Sequence, residues 1–309
     1  IFDREALSEN LADPDTFWIA SEHLDIPAEL YPEPIGGEDE WYAATRAKWA
    51  EPEERVWNHA GFVEVTGAAR FVASDEARWA EVDLWLECLR GFVSGAAQMA
   101  VTRARARYEY LWLKLRVKGE LLGDEPDVRR LFEDALTETR PTLLEDAACA
   151  LNYVAGASGA NRVGIDFQQV RDWRSALIDR VDSLIASTTS DGERCMLVEL
   201  RGYLAIDVLS GGGELPVRAA FPYWKQVLEA ADDAPLYPVT RFANRLVKWA
   251  PFASEMNGYE DLVRHCDELA QAREGKQAAA QRCIRRASAI RSRSITRAIH
   301  ELNAAKVFA

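Results

Sequence analysis

Between Gly258 and Arg297 the sequence runs GYEDLVRHCDELAQAREG and then KQAAAQRCIRRASAIRSRSITR, two helix-length stretches whose apolar residues recur every three or four positions. In the first stretch Leu262, Cys266, Leu269 and Ala270 share one helical face, and in the second Ala280, Cys283, Ile284, Ala287 and Ile290 do. Gly275 stands between them, where a helix C-cap belongs. A helix with one apolar stripe must bury that stripe against another element, and the nearest candidate is a neighbour with the same need. The stretch therefore predicts an antiparallel helical hairpin.

The same pattern recurs upstream. Residues 1–24 predict two short helices, the second opened by Asp13-Pro14, and 25–40 (DIPAELYPEPIGGEDE) predicts an extended acidic strap. Helices are then expected over 40–50 and 52–66. Another begins at Asp75, with Ser74 as its N-cap, and runs through Trp79, Val82, Leu86, Leu89 and Val93. The segment 102–119 (TRARARYEYLWLKLRVKG) is ambiguous. It fits a helix through Val101, Ala104, Tyr108, Leu111 and Leu115, yet it also alternates like a strand; helical neighbours on both sides favour the helix. Further helices are expected over 126–138, 142–155, 166–187, 193–209, 219–231 and 238–249, separated by segments rich in Gly, Pro, Asp, Asn or Ser. A last helix carries Ile295, Ala298, Ile299, Leu302 and Ala305. It reaches Ala309 without a stop signal, so a continuation beyond 309 is expected.

Helix pairs repeated without a convincing strand predict an all-α fold, an array of antiparallel helix pairs. Ala280, Ile284 and Ala287 form a small–large–small pattern behind Gly275; Val128, Phe132 and Ala135, between Gly119 and Pro141, form a second. These residues resemble the second helix of tetratricopeptide repeats and its inter-helix glycine. The family's first-helix tryptophan, leucine-glycine and tyrosine positions are mostly missing. The resemblance covers about two of some six helix pairs. It implies an α-solenoid rather than a globular helical bundle, and a binding role rather than catalysis. Residues 1–67 are expected to form an acidic helical segment, and 68–309 the helical-repeat domain.

Charge is unevenly spread. The formal net charge is −13, which argues against a general nucleic-acid binder, but residues 273–309 hold nine basic and two acidic residues. Arg282, Arg285, Arg286 and Arg293 are expected to form a basic stripe, either a solvated face balanced by the acidic bulk of the protein or a grip for a partner rich in carboxylate or phosphate. A second basic run, Arg103, Arg105, Arg107, Lys114, Arg116 and Lys118, interleaves with Tyr108, Tyr110 and Trp112. Five scattered cysteines point to buried thiols and a reducing, cytoplasmic compartment, and no apolar run is long enough to span a bilayer.

Motifs with catalytic mechanics are missing. There is no phosphate-cradling G-x-x-x-x-G-K-[ST], no H-E-x-x-H, and no Cys/His set with zinc spacing. Asp261, His265 and Glu268 could share a helix face, an arrangement more typical of solvated charge pairs than of a metal site. The expected function is a non-enzymatic scaffold or regulatory sensor domain that binds a protein or peptide, an acidic one among the candidates, with no cofactor or metal. The alternative is a nucleic-acid-binding sensor that uses the basic C-terminal helix, attached to a nuclease or ATPase.

Overall fold

A computed structural model describes residues 38–95, 99–207, 216–235 and 237–308; the predicted helices of 1–24, most of the strap and the Gly211–Gly213 linker lie outside them. Every regular element among the described residues is helical. The α-helices are α1 (Glu38–Ala50), α2 (His59–Ser74), α3 (Val82–Ser94), α4 (Ala100–Lys118), α5 (Glu125–Thr137), α6 (Pro141–Gly159) and α7 (Phe167–Ser187). They continue with α8 (Asp191–Ala205), α9 (Phe221–Ala231), α10 (Val239–Ala253), α11 (Tyr259–Glu274), α12 (Lys276–Ile290) and α13 (Ile295–Phe308). Short 3-10 turns precede α3 and α9. The chain divides into two compact units, 1–174 and 175–309.

Local chemistry explains where the helices start and stop. The helix expected over 52–66 begins only at His59, because the Asn58 side chain accepts from the Gly61 amide (2.9 Å) and caps it there. Ser74 closes that helix rather than capping the next; Asp75 caps the 3-10 turn Glu76–Glu81, accepting from the Ala77 amide at 3.0 Å, and the α-helix expected from Asp75 begins only at Val82. The ambiguous 102–119 segment is helical through Lys118 and ends on Gly119 in the left-handed conformation (φ 80°), which glycine adopts without a Cβ penalty. The helix expected to stop at Trp249 runs on through Pro251 to Ala253.

In the first unit each of α1 to α5 packs on its successor, and α4 also meets α2 and α6. Its core holds Trp49, Phe62, Trp85, Phe92 and Leu113, and Phe132 stacks on Trp173 at 4.3 Å. In the second unit α9 packs on α8 and α11, while α10 packs on α11 and α12. The core there gathers Trp224, Phe242, Leu246, Tyr259, Cys266 and Ile290. All five cysteines are free thiols, four of them buried. Among the described residues no helix is long and apolar enough to cross a membrane.

Candidate protein-binding site

The hairpin predicted from the sequence is present as α11 and α12, turning at Gly275 (φ 91°, ψ 170°). Leu262, Cys266, Leu269 and Ala270 are buried on α11, as are Cys283, Ala287 and Ile290 on α12. The arginine stripe, however, does not face water. Arg286 is 1% exposed and lies between two carboxylates. Its Nη1 donates to Asp267 Oδ1 at 3.1 Å and its Nε to Glu301 Oε2 at 3.0 Å, tying α12 to both α11 and α13. Arg282, also buried, pairs with Glu274. Burial works against the Arg286 charge, but the hydrogen bond and field of Asp267, reinforced by Glu301, outweigh it and raise its pKa. For Glu301 burial prevails over the attraction of Arg286, and its pKa is raised.

The helix has thus rolled relative to expectation. Ile284, placed by periodicity on the buried face, is 50% exposed, while two arginines occupy the interior. A long side chain that meets a carboxylate inside can displace an apolar one from the buried arc, provided every charge is matched. Of the other stripe residues, Arg285 is exposed. Arg293, also exposed, donates to the Pro251 carbonyl (2.8 Å) and lies 4.6 Å from the centre of the Phe252 ring. Among residues carrying the repeat resemblance, Val128, Phe132, Ala135 and Ala287 are buried and Ile284 is not.

Much of the second basic run is also consumed internally. Arg107 binds Asp134 (2.9 Å), Arg105 approaches Asp146 (3.8 Å), Lys118 binds Asp83 (2.8 Å), and Lys114 meets the buried Asp124. Asp124 further accepts from Arg90 and from Tyr110 Oη, each at 3.1 Å, so α3, α4 and the start of α5 share one carboxylate. A cleft of about 200 Å³ beside this run is lined by Arg103, Arg107, Arg130, Asp134, Glu138 and Asp146. Its pairs Arg107–Asp134 and Arg130–Asp134 (2.8 Å) already neutralise much of its charge.

A larger opening lies in the second unit between α9 and α11, with a volume of about 890 Å³. Phe221 and Leu228 of α9 and Leu262 of α11 form its apolar floor, because each is the groove-side member of a helical apolar face. Arg218 and Lys225 stand on the α9 side. Asp261, His265 and Glu268 stand on the α11 side at i, i+4 and i+7, so the row seen in the sequence is one wall of a groove. Arg264 binds Asp261 at 2.7 Å, and Lys225 lies 3.6 Å from Glu229. Among the described residues no group of three or more His, Cys, Asp or Glu could hold a metal ion. The periodicity of α9 and α11 separately carried these residues, but their facing across a gap depends on which helices pack together.

Comparison with protein-family models, curated proteins and solved structures returned no match.

Proposed function

We propose that this chain is a non-enzymatic protein- or peptide-binding module built from tetratricopeptide-like antiparallel helix pairs, with the α9–α11 groove as its binding site. The observation that carries this reading is the groove itself. An apolar floor offers buried area to a partner's side chains, and polar and charged groups on both walls orient the segment that supplies them. A volume of about 890 Å³ suits a few side chains of a peptide. Support for a repeat plan comes from helices that pack on both the next and the next-but-one helix, as stacked pairs do (α2 on α3 and α4, α10 on α11 and α12).

The test is selection of displayed random peptides on the immobilised chain. Enriched peptides should carry an apolar anchor and lose binding to a His265→Trp variant, whose indole fills the groove. If none is enriched, or if the variant retains them all, the groove is not the binding site.

A further inference from the structure

The side chains of α13 are distributed inside out by size. Toward the protein it turns Ala298 and Ala305, each 7% exposed, and the Glu301 carboxylate that binds Arg286. Its large apolar residues face water: Ile295 is 72% exposed, Ile299 53% and Leu302 44%. Positions i, i+4 and i+7 put the three in one stripe, about a quarter-turn from the alanine face. Removing such side chains from water is favourable, so the stripe forgoes stabilisation that an occupant would restore.

Basic groups predominate around the stripe. From Lys276 to Phe308 the α12–α13 hairpin carries eight Lys and Arg against a single acid, Glu301, in a chain of net charge −13. Arg282 and Arg286 are spent on internal carboxylates, and Arg297 reaches Glu260 at 3.2 Å. Lys276, Arg285, Arg291, Arg293 and Lys306 still face solvent. Lys306, eleven positions after Ile295, extends the same stripe.

We propose that the Ile295–Ile299–Leu302 stripe is a second docking surface, distinct from the groove, and that its occupant is an amphipathic helix with acidic flanks. The proposal rests on the reading of the chain as a protein-binding module. Charge complementarity selects this occupant. A second copy of the hairpin would bring two basic surfaces together and be repelled. Nucleic acid would use the basic groups and leave the apolar stripe in water. Interfacial membrane helices bury a face of Trp, Phe or Leu, and of these the stripe has only Leu302. An acidic helix uses both features, its apolar face on the stripe and its carboxylates on Arg285, Arg291 and Lys306.

The probe is a fluorescein-labelled model helix of Leu and Glu, with Leu at i, i+3, i+4 and i+7, titrated with the full chain by fluorescence anisotropy. Saturable binding is expected, weakening with added salt. It should fall about tenfold or more in the double variant Ile295→Ser/Ile299→Ser, and also in Arg285→Glu/Lys306→Glu, which leaves the three apolar residues intact. Circular dichroism of both variants should match the wild type. Several outcomes overturn the proposal: no binding, equal binding of a Leu/Lys helix, binding indifferent to both variants, or displacement of the helix by duplex DNA or anionic vesicles. Loss of binding in His265→Trp with full binding in the serine variant moves the acidic helix to the groove, sinking this inference while the protein-binding reading stands. If displayed peptides and the model helix both fail to bind, that parent reading falls as well.

Discussion

Arg286 and Arg285 are adjacent in sequence and opposite in role. Arg286 is buried between Asp267 and Glu301, so truncating it strands two carboxylates in a low-dielectric site. Arg286→Met is expected to cost about 3–5 kcal/mol in urea denaturation. Arg285→Met, on the exposed side of the same turn, should change stability by less than about 0.5 kcal/mol. Equal effects would mean that α12 is oriented differently. His59 is a second residue whose environment decides its chemistry. Buried at the start of α2 beside the Phe62 ring, it has its pKa pushed down to about 4, by burial first and then by the Arg105 charge. An unfolded-chain histidine titrates near pH 6.5, so below that value the unfolded state takes the proton first. The His59 contribution is therefore complete above about pH 6.5 and declines as pH falls toward 4. Between pH 7 and pH 5 the wild type should lose about 2 kcal/mol more than His59→Gln, measured by urea titration at each pH. Parallel slopes for the two proteins would refute this.

At the scale of elements, periodicity located the helices well and their termini less well. The α11–α12 hairpin was legible because caps and stripes agree: Gly275 with positive φ, and apolar residues on both facing sides. The start of α2 was not, because its cap depends on the chain folding back. The Val56 carbonyl lies 1.9 Å from where a Cβ on Gly61 would sit, so only glycine fits beneath the loop that presents Asn58. Replacing a helical glycine with alanine ordinarily stabilises by up to about 1 kcal/mol. Here the sign should reverse. A backbone carbonyl cannot swing aside as a side-chain tip can, and Gly61→Ala is expected to destabilise by about 1–3 kcal/mol, read from the urea midpoint. A gain in stability would show that the loop yields at little cost.

Across the whole molecule, what the sequence determined by itself was the all-α class and the approximate place of each described helix. Those properties follow from local propensity and from a 3.6-residue period, which any segment carries within itself. It also located the residues of the groove wall, Asp261, His265 and Glu268, on one helix face. The fate of charge was decided only by tertiary structure. Arg282, Arg285, Arg286 and Arg293 look alike in one dimension, yet two are structural ion pairs and two are exposed. Arg107, Lys114 and Lys118 likewise meet carboxylates 10 or more residues away or on another helix. An amphipathic pattern scores arginine as outward, because burying an isolated charge is prohibitive; it has no way to register a carboxylate arriving from a different helix. The same limit hid the α13 stripe, where Ile295, Ile299 and Leu302 looked like core and the smaller Ala298 and Ala305 took the interior instead. Which side of a helix is buried depends on the neighbour that covers it, and that neighbour is specified by packing across the fold.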